Sequence, residues 1–271
     1  MTRTDRSATL KISAVVSDVD GTLVTEEKLL TEPTKAAVKA LHARGIIFSI
    51  ISSRPPRGLR MQIEALEIAV PFGGLNSGVI AAPDFSVIRE HLLLRSVAQR
   101  TVNMLTAIGA QSWLFAGKDW MIRDADGPYV ALEQRTVAFP PTVVEDFAPF
   151  LDHTGKIVGV SPDFDRLAQC EKQVLHLCDV VLVITVNPGF SGQAFLPAML
   201  PKIRDLRRLC ASMGLDPWIE VDGGQKGEHA ASAIAAGANA IVAGSAIFGS
   251  RDYAAAIARL RHGAVQTRVL A

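Results

Sequence analysis

Two carboxylates one residue apart, Asp18 and Asp20, close a short β-branched run within "VVSDVDGTLV", residues 15–24. Paired carboxylates at a strand end can hold Mg²⁺ while one attacks phosphorus and the other moves a proton. Gly21 and Thr22 follow directly, and a glycine there lets backbone amides approach a phosphoryl group. A bare D-x-D would read as an acidic turn after a strand. The longer D-x-D-G-T-L is more specific and points to phosphoryl chemistry.

Two further groups of residues could bind phosphate. "IISSRP" ends the next apolar run with Ser52, Ser53 and Arg54; a serine there could hold a phosphoryl oxygen or simply cap the following helix. Nearer the C-terminus, "TVNPGFSGQAF" (185–195), "EVDGG" (220–224) and "AGSAIFG" (243–249) each carry glycines after an apolar run. Any one of these glycines could serve an ordinary tight turn. Three such turns at successive strand ends can aim backbone N–H groups at one phosphate.

The elements that would position these residues alternate. Runs at 12–17 and 46–51 read as strands, and 31–45 and 56–68 as helices with Gly and Pro punctuation, a pattern of parallel, doubly wound sheets. After residue 84 the pattern changes to an α+β stretch. It contains a helix at 95–109, two antiparallel strands within 111–130 turning at Asp126-Gly127, a strand at 156–161 and a helix at 163–174. From 180 the alternation returns as three β-α units in about 85 residues, far fewer than the roughly 200 of an eight-unit barrel. The expected fold is α/β: a mainly parallel, Rossmann-like doubly wound sheet with an inserted α+β cap and three C-terminal β-α units of barrel type. The expected limits are 1–83 for the first part of the core, 84–174 for the cap and 175–271 for the last units, the latter packing on or completing the core sheet.

Composition excludes several classes. Lys plus Arg is 28 and Asp plus Glu 27, a net charge of +1, so no basic surplus points to nucleic acid. The longest apolar runs fall well short of the ~20 residues that span a bilayer, so no membrane partner is expected. Cys170, Cys178 and Cys210 lack metal-type spacing and the first residues form no apolar leader, which fits reduced thiols and a cytoplasmic location. The six histidines are scattered through helical and loop contexts. Nothing in the sequence sets the oligomeric state.

The motifs carry two resemblances. Residues 10–171, through "VVSDVDGTLV", "IISSRP", "LNSG" and "KDWMIRD", resemble the Cof-type sugar phosphatases of the haloacid dehalogenase superfamily. That resemblance implies an Mg²⁺-dependent hydrolase of small phosphorylated sugars. Asp18 would be nucleophile and Asp20 general acid/base, with Gly21, Thr22, Ser52, Ser53 and Arg54 around the phosphoryl group. The family's later lysine and G-D metal loop have no counterpart, since no Gly-Asp dipeptide occurs. Residues 175–262 resemble the last third of ribulose-phosphate 3-epimerase, which implies phosphate binding by Gly192, Gly223, Gly224, Gly244 and Ser245. Lys202 and Asp222, twenty residues apart with a helix between, resemble the spacing of the missing lysine and metal aspartate, although Lys202 also fits an ordinary helix-surface lysine. The chain therefore looks like a chimera joined near 172–178, and the leading expectation is a phosphohydrolase, an impaired one if the site is incomplete. An epimerase-like isomerase or a non-catalytic phosphate-binding fusion are the alternatives. The epimerase's metal-binding histidines and first acid/base aspartate belong to a barrel half that is absent.

Overall fold

The computed structural model describes residues 12–25, 27–187 and 193–268, which fall into two compact units: Met1–Gln99 with Gln111–Val160, and Arg100–Ala110 with Ser161–Ala271. In the first unit β1 (Ala14–Asp18) and β2 (Ile47–Ile51) pair in parallel through α1 (Glu32–His42), with Asp18 opposite Ile51. Thr31 caps α1, its Oγ1 accepting from the Thr34 N–H at 3.3 Å, and Gly45 at φ +69° turns the chain back, as the Thr and Gly punctuation predicts. A 3-10 turn (Pro56–Leu59) and α2 (Arg60–Ala65) lead to β3 (Phe72–Gly74), parallel to β2.

The sheet then departs from the expected parallel pattern. β4 (Val79–Ala81) and β5 (Val87–Glu90) add antiparallel strands, giving the order β1-β2-β3-β4-β5. A core of Val19, Val38, Phe48, Ile50, Leu59, Ile63 and Phe72 packs on it, each at most 4% exposed. These strands are only three and four residues long, too short for their alternation to stand out from the surrounding turns.

Helix α3 (Arg95–Ile108) precedes a hairpin of β6 (Gln111–Ala116) and β7 (Asp119–Ile122). The hairpin turns at Gly117-Lys118 and not at Asp126-Gly127 as the sequence suggested. Gly117 takes φ +58°, the left-handed first position that a two-residue hairpin loop of this kind requires. Asp126-Gly127 instead leads into α4 (Val130–Val137), whose first N–H bonds Gly127 O. With β8 (Thr142–Val143) and β9 (Thr154–Val160) the hairpin forms a second sheet, order β8-β7-β6-β9. Trp113 and Trp120 meet edge to face at 5.3 Å inside it, an arrangement their ring quadrupoles favour.

The second unit contains α5 (Phe164–Val174), β10 (Val180–Ile184), α6 (Leu200–Ser212), β11 (Trp218–Asp222), α7 (Gly227–Ala235), β12 (Ala240–Val242), α8 (Ser245–Phe248) and α9 (Tyr253–Arg268). These are the three expected β-α units. Their strands are all parallel and form a sheet of their own in the order β10-β11-β12. Val183, Ile203, Ile219, Val221 and Ala233 make its core. The class is α/β, as the alternation predicts. Among the described residues no helix is long and apolar enough to cross a membrane.

Gly58 shows how closely the first unit's parts approach. A Cβ built there would lie 2.6 Å from Val137 O, at the end of α4. Gly58→Ala should therefore lower unfolding free energy by about 1–3 kcal/mol, the usual cost of overpacking against fixed atoms. Gly227→Ala, with open space around the new Cβ, is the comparison, and denaturant melts of both check it.

Candidate functional site

Parallel pairing of β1 with β2 sets Asp18 and Ser52 at neighbouring strand ends, the position where open α/β sheets collect ligand-binding groups. Past Asp18 the chain turns at once: the Thr22, Leu23 and Val24 N–H groups all bond Val19 O, and Gly21 adopts φ +78°. This turn returns Thr22 to the Asp18 carboxyl. Asp18 is an exposed residue, yet local burial raises its carboxyl above the usual value of 3.8. Hydrogen bonds from the Val19 N–H and the Thr22 hydroxyl, with the Arg54 charge, oppose the rise, and the Asp20 charge adds to it.

Asp20 sits in a different field. Arg54 Nε donates to its Oδ2 at 2.8 Å and Nη2 to Oδ1 at 2.5 Å, while Lys28 Nζ donates to Oδ1 at 2.9 Å. Burial pushes the Asp20 carboxyl up, but the Arg54 and Lys28 hydrogen bonds and charges outweigh it and hold the group below its ordinary value. Two neighbouring carboxylates are thus driven apart: the expected nucleophile upward, the expected proton donor downward.

Arg54 is only 3% exposed, so its partner and its anchorage both matter. Its N–H bonds Ser52 Oγ at 3.2 Å, its carbonyl accepts from Leu75 N, and Ser52 O accepts from Asn76 N. Leu75, Asn76 and Ser77 are consecutive left-handed residues at φ +50°, +56° and +68°. Such a run costs roughly 1–2 kcal/mol per non-glycine residue and marks a turn held by its surroundings. The "LNSG" segment therefore fixes the loop that carries Ser52 and Arg54. Ser53 is exposed.

Two cations meet at Asp20, one expected in the site and one not. Arg54, expected around a phosphoryl group, is committed to Asp20 by two donors. Lys28 was not singled out from sequence, because a lysine eight residues downstream carries no motif; its φ of +65° in the Thr25–Lys28 turn aims it back. Glu133 of α4 feels the charges of this cluster, and Lys156 of the second sheet feels that of Glu133. Glu133 is pushed up by burial, against the Lys156 and Arg54 charges and with that of Asp20. Burial depresses Lys156, against the Glu133 charge.

Magnesium fits these side chains poorly as they stand. The oxygens of Asp20 are filled by cations, and among the described residues no group of three or more His, Cys, Asp or Glu side chains could hold a metal. Asp18 and Asp20 alone give the first unit fewer converging oxygens than a hard dication gathers, and Asp222, the third residue of the expected metal set, belongs to the second unit.

In the second unit Asp222 ends β11, and Gly223 and Gly224 follow at φ +109° and +65°. Added Cβ atoms there would approach Val186 and the Phe195 N within 2.6 Å, so only glycine suits this turn. Thr185 Oγ1 lies 2.9 Å from Asp222 O and 2.7 Å from Gly223 O, and Gln225 Nε2 donates to Thr185 Oγ1 at 2.8 Å. Gly244 precedes the four-residue α8, which Ser245 begins. Gly192 lies outside the described residues. Lys202 is half exposed and pairs with Glu171 at 3.2 Å, the behaviour of a helix-surface lysine.

Comparison with known proteins divides along the chain. Residues 138–248 match the model of the ribulose-phosphate 3-epimerase family, beginning upstream of the join expected near 172–178. Over 108 residues the chain is 52% identical to ribulose-phosphate 3-epimerase of Synechocystis sp., covering 40% of this chain and 45% of that protein. Over 84 residues it is 57% identical to the chloroplastic ribulose-5-phosphate-3-epimerase of Arabidopsis thaliana, covering 31% and 30%. The chain thus spans less than half the length of these relatives. Among solved structures it is similar to a haloacid dehalogenase-like hydrolase from Bacteroides thetaiotaomicron, with a TM-score of 0.55, 18% identity, and 79% of this chain and 82% of that one covered. A haloacid dehalogenase subclass IIB sugar phosphatase gives 0.51, 15%, 78% and 81%. Covering 79% takes more residues than 1–171 contain, so the likeness of fold extends into the C-terminal units. The chain combines a haloacid dehalogenase-like fold over most of its length with a C-terminal region similar to ribulose-phosphate 3-epimerase.

Proposed function

We propose that the chain hydrolyses phosphomonoesters of small sugars, slowly, through the Asp18 carboxylate. One observation carries this reading: within such a fold Asp18 is reachable at a strand end, held by Thr22, beside an Asp20–Arg54–Lys28 cluster. In the first step an Asp18 oxygen bonds to phosphorus, the ester P–O bond breaks, and the leaving oxygen takes a proton. Water then attacks the aspartyl-phosphate and releases inorganic phosphate and the free carboxylate. Arg54 and Lys28 bring two positive charges close to the developing negative charge. Ser52 and the Gly21–Thr22 turn complete the phosphoryl surroundings in this proposal.

The same cluster limits the rate. A general acid works best when its pKa lies near the working pH, and Asp20 is held well on the ionised side by Arg54 and Lys28. Proton delivery by Asp20 therefore has to work against its own ion pairs. The proposed cytoplasmic setting and the C-terminal region's phosphate turns agree with a phosphorylated sugar as substrate. No step here runs through magnesium; Mg²⁺ enters as a reagent in the assay because the resemblance implies it. The catalytic part of Lys202 and the metal part of Asp222 belong to the same proposal.

Release of phosphate from p-nitrophenyl phosphate and from sugar phosphates, with Mg²⁺ and with EDTA, checks the reading. Asp18→Asn should remove at least about 99% of the rate, since a lost nucleophile forfeits the covalent route. Equal rates in wild type and Asp18→Asn would end the proposal. Asp222→Ala decides the part of these two residues: a rate lowered with Mg²⁺ and unaltered in EDTA keeps Lys202 and Asp222 in the proposal, and no change in either removes them.

The pKa directions set two pH outcomes. Asp18 ionises above the usual aspartate range, so kcat/KM should climb with pH across a midpoint above 3.8. For stability the signs oppose. Asp20, lowered when folded, contributes stability above its unfolded value of 3.8, lost as pH falls through the depressed folded value; Asp18, raised when folded, contributes at low pH and loses that as pH rises. Asp20→Asn should cost about 2–4 kcal/mol near neutral pH, because it strands the buried Arg54. The loss should shrink on acidification in urea melts; a variant as stable as wild type refutes the pairing.

A further inference from the structure

Arg54 also lines a cavity of about 820 Å³ within the first unit, together with Arg57, Arg60, Gln62 and Phe139. Arg57 and Arg60 stand one helical turn apart on its wall, and both line a second cavity of about 500 Å³ with Lys118. Their guanidinium planes are set by aromatic rings: Arg57 lies 4.7 Å above the centre of Phe139, and Arg60 4.4 Å above that of Phe85. Stacking of this kind orients the planar fork without using its donors. Each arginine has one carboxylate partner, Asp119 for Arg57 at 3.1 Å and Glu64 for Arg60 at 3.2 Å, and each pair runs through a single Nη1. A guanidinium has five N–H donors, so both forks have capacity for another anion. Asp84, in the second cavity, is the remaining acidic neighbour.

Gln62 gives a second, independent observation. Its side chain is 1% exposed, and neither its amide N nor its O has a hydrogen-bond partner among the described residues. Buried amides are nearly always bonded, and this one lines the same cavity as the two stacked arginines. The mechanism derived above uses neither Arg57, Arg60 nor Gln62.

We propose that this cavity seats a second phosphate of the substrate, so that the chain takes doubly phosphorylated sugars in preference to monophosphates. The cavity shares Arg54 with the Asp18–Asp20 cluster, which places one phosphoryl group toward the aspartates and the other toward Arg57 and Arg60. A phosphate dianion carries more charge than the single carboxylates it meets there and accepts bidentate donation from a guanidinium fork. Gln62 would supply one N–H to the ligand and accept from a sugar hydroxyl. The inference rests on the phosphatase reading only in calling the ligand a substrate; the anion site itself stands on the cavity.

The test is calorimetric titration of the full chain carrying Asp18→Asn, with glucose 1,6-bisphosphate and glucose 6-phosphate as probes. The bisphosphate should bind about tenfold tighter or more, the scale of one added charge-assisted bidentate contact. Arg57→Gln with Arg60→Gln should abolish that preference and leave glucose 6-phosphate affinity unchanged. Should the double variant not fold, Arg60→Lys and Gln62→Met, each nearly volume-conserving, should each reduce the preference. Arg44→Gln, at an exposed turn position just after α1, should not. Equal affinities, a preference that survives these variants, or binding of neither probe overturns the site. Failure of the phosphatase reading shows separately, as p-nitrophenyl phosphate turnover that Asp18→Asn leaves intact.

Discussion

A guanidinium 3% exposed to water cannot stay charged and unpaired, and Arg54 is paired through both ends of its fork with Asp20. Much of the first unit's local geometry serves that requirement. The turn after β1 brings Asp20 round, the Ser52 hydroxyl and the Leu75 amide pin the Arg54 backbone, and three consecutive left-handed residues keep that amide in place. Strain in a short turn persists where the surrounding bonds over-determine it. Here the bonds are those of Ser52 and Arg54, and the charge pair is what they deliver.

The same pair decides the electrostatics of the candidate site. Asp18 and Asp20 are two residues apart, yet their carboxyls are displaced in opposite directions, Asp18 by burial and Asp20 by Arg54 and Lys28 against burial. Separated pKa values are the usual sign of divided acid and base roles. In this case the direction favours stability over proton transfer, because the group expected to donate is the one held ionised. A carboxylate held ionised in this way is poorly tuned to give up a proton.

The second unit preserves a different ancestry in its turns. Gly223 and Gly224 sit where a Cβ would strike Val186 and Phe195, and Thr185 ties that turn to the end of β10. Gln225 stands in this network with its Nε2 bonded and its Oε1 buried without a partner. The β10–β12 sheet has one packed face, but Val180, Leu182 and Trp218 on the other are about half exposed. Parallel strands are usually covered on both faces, so this sheet leaves an unusual amount of apolar surface open on one side.

Sequence alone determined the repeating β-α order, the strand ends at Asp18, Ser52 and Asp222, and the glycine turns beyond them. These follow from short-range rules of alternation, capping and left-handed backbone. β4 and β5 were not legible because three- and four-residue strands carry too little period, and the hairpin turn was misplaced because Asp126-Gly127 and Gly117-Lys118 are both good turn sequences. Only the tertiary structure decided that Arg54 pairs with Asp20, that Lys28 joins them, and that Lys202 pairs with Glu171. Partner choice among charges depends on burial and on distances between residues far apart in the chain, and neither quantity is written in local spacing.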